Sequence, residues 1–108
     1  MKNSELHKAL GLKVLVESDG EREITGCYCG DLLSWVMSKL QADQVWLTVM
    51  GNINSIAVAV LSDCACIVLS DNAPLDEEAK IKAEAMGVTV YQSEQSTFEL
   101  AVKIQELL

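Results

Sequence analysis

The residues best suited to chemistry are the four cysteines, which fall into two C-x-C pairs, Cys27 with Cys29 and Cys64 with Cys66. Four thiolates can complete a tetrahedral zinc site, so a metal-binding or redox module built from Cys27, Cys29, Cys64 and Cys66 is the first chemistry to weigh. The spacing argues against it. Structural zinc sites generally set roughly two to four residues between paired ligands and curl round the ion through a glycine turn. C-x-C in an extended segment only puts two sulfurs on one face. Cys64 and Cys66 also straddle the junction "SDCACIVLS" between an expected helix and an expected strand, where small apolar side chains are wanted. Buried, reduced thiols packing as small hydrophobes are therefore expected, with metal or redox chemistry as the alternative. No C-x-x-C motif is present, and His7, the only histidine, falls on a short N-terminal helix where a solvated side chain is expected.

Phosphate chemistry has little to stand on. The pattern G-x-x-x-x-G-K-[ST] is absent, and no G-x-G-x-x-G follows a strand. In "TVMGNINS" a strand ends near Val49, Gly51 permits a tight turn, and Asn52 or Asn54 can cap the next helix. Such a helix N-terminus is able to receive a phosphate or carboxylate, although capping alone explains the residues. In open parallel sheets ligands collect beyond the carboxyl ends of the strands. The loops at residues 51–54, 70–72 and 93–96 are the ones to watch, joined by Thr25 and Gly26. These loops hold Ser, Asn, Asp and Glu but no Lys or Arg, which suits hydrogen bonding to a small polar ligand or a partner backbone better than polyphosphate turnover. Trp35 and Trp46 are expected to be partly buried in the core rather than to serve as stacking platforms.

The elements that position these residues are legible from periodicity. Residues 4–11 read as a helix capped by Ser4 and stopped by Gly11, followed by the strand "KVLVE", the turn "SDGERE" and an extended segment at 24–28. Asp31 opens "DLLSWVMSKL", in which Leu32, Leu33, Val36, Met37 and Leu40 recur at helical spacing. "VWLTV", "CIVLS" and "VTVY" read as strands. The helices "NINSIAVAVLSD", "DEEAKIKAEAM" and "STFELAVKIQELL" alternate with them. In the last, Ser96 and Glu99 form a capping box, and Leu100, Ala101, Ile104, Leu107 and Leu108 make an apolar stripe. Strand and helix alternating over short links imply βαβ units and a mainly parallel sheet, with the N-terminal part adding to the sheet or covering it.

The chain's 108 residues suit one domain spanning 1–108. Eight basic against sixteen acidic residues give a formal charge of −8, and Lys80 and Lys82 are interleaved with Glu77, Glu78 and Glu84, so nucleic acid and anionic membranes are not expected partners. No apolar run approaches the roughly 18 residues of a membrane span. The opening "MKNSELHKALG" lacks an apolar export signal, so a cytoplasmic setting with reduced thiols is expected.

"ITGCYCGDLLSWVM", "VWLTVMGNINSIAVAVLSDCACIVLS" and "STFELAVKIQELL" together resemble the small stand-alone DRTGG-domain proteins of bacteria. Thr25 and Gly26 fit the signature that names that family, while Glu23, Ile24 and Cys27 depart from its acid, arginine and second glycine. The resemblance implies a three-layer α/β/α fold with a mainly parallel sheet, similar to the N-terminal domains of HPr kinase/phosphorylase and of Mur ligases. It implies a non-catalytic regulatory or adaptor domain, without cofactor, that binds a small ligand, such as a nucleotide or other anion, or a partner protein, as a homo-oligomer. The candidate contacts are Thr25, Gly26, Gly51, Asn52 and Asn54. An enzyme acting on a phosphorylated small molecule is a further alternative, disfavoured by the missing basic residues.

Overall fold

Two strands set the architecture: β3 (Gln44–Thr48) and β4 (Cys66–Leu69), in which every residue except Gln44 is buried. A strand buried on both faces needs a helical layer on each side. The computed structural model, which describes residues 1–108, supplies both. Around these strands lie α1 (Asn3–Leu10), β1 (Lys13–Val16), β2 (Gly26–Cys29), α2 (Leu33–Lys39), α3 (Ile53–Ser62), α4 (Glu77–Met86), β5 (Val90–Gln92) and α5 (Thr97–Leu107). The five-stranded sheet has the order β1-β5-β4-β3-β2. Strands β2 to β5 are parallel, and β1 closes one edge antiparallel to β5.

Because β2 to β5 are neighbours in chain order, right-handed crossovers send α2, α3 and α4 to one face. The other face is left to α1 and α5. Side chains alternate accordingly: Trp46, Ile67, Leu69 and Val90 pack under α2–α4 with Val36, Ile56 and Ala83. Val45, Leu47, Cys66, Val68 and Tyr91 pack under α1 and α5 with Leu6, Leu100 and Ile104. The N-terminal part thus both adds to the sheet and covers it. No helix is long and apolar enough to cross a membrane.

Helix ends follow local chemistry with two corrections. Gly11 and Gly87 stop α1 and α4 in the left-handed region, at φ 62° and 73°, and the Ser96–Glu99 capping box opens α5 as its sequence spells. Helix α1 begins one residue earlier than Ser4, with Lys2 as its cap. Asp31 does not cap α2, because its carboxylate accepts from the Thr48 hydroxyl at 2.7 Å and the Val49 N–H at 3.0 Å, tying the end of β2 to the end of β3. The apolar stripe of α2 is narrower than its sequence suggests: Val36 and Leu40 are buried, but Leu32 and Met37 are exposed and Trp35 is 64% exposed, against the expected burial. Trp46 is fully buried, with its indole N–H on the Gly30 carbonyl at 2.9 Å. His7 is half-buried, not solvated, because its ring stacks on Tyr91 at 5.3 Å. At the end of α5, Leu107 and Leu108 lie beyond Ile104, the last buried residue of the helix, and are exposed.

The amino edge of the sheet is closed by polar contacts. Arg22, in the β1–β2 connection, donates to the Asp43 carboxylate at 2.8 Å and to the Asp63 carbonyl at 2.5 Å, and its guanidinium also lies 3.0 Å from the Asp63 carboxylate. Asp43 and Asp63 both hold left-handed backbone, at φ 66° and 58°, so one guanidinium fixes two strained turns. Buried Asn3 donates to the carbonyls of Asp19 and Ala65, pinning the same connection. Both aspartates are well exposed, so screening trims the ion pairs. Arg22→Ala is expected to lower unfolding free energy by about 1–2 kcal/mol in urea titrations, mainly through the lost hydrogen bonds; an unchanged midpoint would remove Arg22 from this role.

Candidate ligand-binding cleft

The parallel strands all end at the opposite, carboxyl edge, where β4 and β5 part company. The connection after β4 leads to α4 on one face, while that after β5 leads to α5 on the other. This divergence opens the crevice in which open α/β sheets collect ligands. A cleft of about 540 Å³ lies there, lined by Lys13, Asn72, Gln92, Ser93, Glu94 and Gln95 with no apolar side chain among its walls. A second hollow of about 280 Å³ adjoins it, sharing Lys13 and Gln92 and adding Lys80 and Glu77.

The walls are held by the backbone. Asp71 and Asn72 turn through left-handed conformations at φ 54° and 55°. Their N–H groups donate to the carbonyls of Gln95 at 2.9 Å and Ser93 at 2.7 Å. The hydroxyls of Ser70 and Thr97 meet at 2.7 Å, and the Gln92 amide donates to the Ala73 carbonyl at 2.8 Å. Two loops are thereby locked together with the Asn72 side chain and the Lys13 ammonium left to solvent. Asn and Asp are the residues that tolerate such left-handed turns, which is the local reason "SDNA" can follow β4. Lys13 carries the cleft's positive charge and forms no salt bridge. It reaches this edge because β1 runs antiparallel, pairing Lys13 with Gln92. Inspection of the strand-end loops misses it for that reason.

The five residues singled out from sequence do not form one site. Thr25 precedes and Gly26 begins β2 at the amino edge, where the Thr25 N–H donates to the Asp43 carbonyl at 3.0 Å and Gly26 pairs with Gln44. Gly51, Asn52 and Asn54 lie at the carboxyl edge beside β3, outside the lining of the cleft. Gly51 answers a backbone requirement: a Cβ there would sit 2.0 Å from the Pro74 carbonyl oxygen. The Asn52 side chain caps α3, accepting from the Ser55 N–H at 3.1 Å. Asn54 is exposed on the first turn of α3. Loops 70–72 and 93–96 do contribute, through Asn72 and residues 93–95.

The four cysteines do not converge either, and no three His, Cys, Asp or Glu side chains are grouped to hold a metal ion. Cys64 is buried under α2–α4 and Cys66 under α1 and α5, so the irregular junction splits that pair between the two cores. Burial pushes the Cys64 thiol up to about 11 and the Cys66 thiol well above its ordinary range, as expected of packing residues. Cys29 departs from that expectation, because it is exposed at the sheet edge, with Cys27 half-buried beside it.

Gly51→Ala is expected to cost about 3 kcal/mol of stability by forcing the Pro74 segment away. Asn52→Ala should cost about 1 kcal/mol through the lost cap. Urea unfolding measures both, and a neutral Gly51→Ala would contradict the close approach.

No curated protein matches this chain. Among solved structures, it is similar to the CBS and DRTGG domains of the regulatory region of Clostridium perfringens pyrophosphatase, solved with the activator diadenosine tetraphosphate. The TM-score is 0.67 at 7% identity, over 94% of this chain and 44% of that one. The chain therefore spans less than half the length of that relative, and the likeness is one of fold. The DRTGG domain model matches residues 5–107, and on that match the chain belongs to the DRTGG domain family.

Proposed function

We propose that this chain is a non-catalytic regulatory domain, spanning residues 1–108, that binds a small polar ligand in the cleft beyond β4 and β5. The observation that carries the reading is the cleft at the divergence of the two connections, with Lys13 projecting from the antiparallel edge strand. Lys13 suits one anionic group, the Glu94 carboxylate suits a hydroxyl or other donor, and the amides of Asn72 and Gln95 suit sugar or carbonyl oxygens. The cleft offers no apolar platform for a stacked base and only one cation, so a nucleotide would be held by its ribose and a single phosphate rather than by a polyphosphate chain. The solved relative was crystallised with a dinucleotide activator, which makes nucleotides the first ligands to try. Within α/β folds, the domain is of the kind found at the N-termini of HPr kinase/phosphorylase and Mur ligases. Its setting is cytoplasmic, and a charge of −8 argues against nucleic acid as a partner. Thr25, Gly26, Gly51, Asn52 and Asn54 remain candidates for partner contacts at the two edges rather than for one pocket.

The domain works as a homo-oligomer in this reading, with exposed Leu32 at the start of α2 and Trp35 and Met37 within it providing apolar contact area. Sedimentation should show an oligomer that persists when salt is raised and dissociates in Trp35→Ala. A monomer throughout, or dissociation by salt alone, would refute the apolar interface.

Ligand binding is tested by thermal unfolding with inorganic phosphate, adenosine mono-, di- and triphosphate, and diadenosine tetraphosphate. A true ligand at a hundredfold its Kd adds about 2.7 kcal/mol. Lys13→Ala, at an exposed position, is expected to keep the fold and lose most of that gain. Equal stabilisation of the wild type and Lys13→Ala would move the site elsewhere.

A further inference from the structure

We propose that Cys27 and Cys29 form a reactive dithiol on the edge strand β2, in which Cys29 is oxidised first by a hydroperoxide and Cys27 resolves it to an intrachain disulfide. Residues two apart on a strand share a face, so both sulfurs lie on the α1/α5 side of β2, where Cys27 packs against that core. Cys29 is exposed and Cys27 half-buried, which leaves the first thiol open to a small oxidant. The strand is hydrogen-bonded on one side only, to β3.

The sheet register excludes the other pairings. Cys27 stands opposite Val45, which stands opposite Cys66, so those two sulfurs lie two strands apart. That is about 9.5 Å, beyond the reach of roughly 7 Å between Cα atoms that a disulfide allows. Cys64 is on the far side of the sheet. Cys27 and Cys29, with Cα atoms about 6.6 Å apart in a regular strand, sit at the outer limit of bridging distance. Gly26 and Gly30 flank them directly, so the strand can pucker on either side to close the gap. A bridge formed this way is strained and hence easily reduced, the behaviour of a labile rather than a structural disulfide.

The two thiols are also unequal. The neighbouring Cys27 thiol favours the Cys29 thiolate and lowers Cys29 to about 7, against partial burial and the charge of Asp31. The same contact and burial push Cys27 upward. Cys29 is therefore the nucleophile and Cys27 the protonated neighbour. The Cys29 thiolate attacks the peroxide, an S–O bond forms as the O–O bond breaks, and the released hydroxide or alkoxide takes the Cys27 proton. The Cys27 thiolate then attacks the sulfenic sulfur, an S–S bond forms as the S–O bond breaks, and the oxygen leaves as hydroxide, which becomes water by taking up the proton that Cys29 had released to solvent. Two thiols are oxidised to one disulfide while one hydroperoxide is reduced to water or alcohol, and any external dithiol reverses the result.

The test is mass spectrometry of the reduced full chain. Under limiting iodoacetamide, Cys29 should be alkylated about tenfold faster than Cys27, Cys64 or Cys66. With stoichiometric hydrogen peroxide the chain should lose about 2 Da, mapped to a Cys27–Cys29 bridge and reversed by dithiothreitol. Cys29→Ser should abolish that loss, and Cys27→Ser should leave a sulfenic acid on residue 29 that dimedone labels. The proposal is overturned if wild-type Cys29 alkylates no faster than the others, or if peroxide yields only sulfinic acid or bridges between chains. The wild-type measurements decide even if a variant folds poorly.

Discussion

Burial of β3 and β4 on both faces is the constraint from which the rest of the structure follows. Their side chains alternate between two cores, so each face must be covered, yet four parallel strands in chain order send all three crossover helices to the same side. The second layer has to come from outside the βαβ run. Helices α1 and α5 provide it, and α5 does so by leaving β5 toward the opposite face from α4. The cleft is the consequence of that divergence. It opens where the chain is forced apart by the need to cover a sheet.

The two edges of the sheet then take different roles. At the amino edge, Arg22, Asn3 and two left-handed aspartates draw the β1–β2, β2–β3 and α3–β4 connections into a closed polar network. At the carboxyl edge, loop backbones satisfy one another between residues 70–72 and 93–95 and leave side chains of Lys13, Asn72 and Glu94 facing solvent. A rigid frame with unspent polar groups is what recognition of a small ligand requires, since little ordering remains to be done on binding. Such a site suits the ligand-binding role proposed for the domain.

Much of this was legible in the sequence where one local interaction decides the outcome. The Ser96–Glu99 box, the glycine stop at Gly11, and the strands β3 and β4 all stand as read. What escaped depends on contacts distant in the chain. Lys13 joins the cleft only because β1 pairs antiparallel with β5, and a four-residue strand does not declare its partner. Gly51 looked like a ligand-binding turn, but its need is the Pro74 backbone 23 residues away. Asp31 looked like a cap until β3 supplied better donors. Trp35 and Cys29 share the pattern of buried neighbours, yet α2 and β2 form the uncovered border of the sheet and leave both outside. Thr25 and Gly26 joined the carboxyl-edge loops in expectation because periodicity gives a strand's position but not which of its ends faces which edge.

The most direct test of the cleft is amide chemical-shift mapping by NMR while the chain is titrated with whichever nucleotide or phosphate stabilises it most. Ligand held as described here shifts Lys13, Asn72 and residues 92–95 in a saturable way, with the amino-edge amides near Arg22 unmoved. Shifts concentrated instead at Thr25 and Gly26, or at residues 51–54, would contradict the assignment of the site to the divergence of β4 and β5.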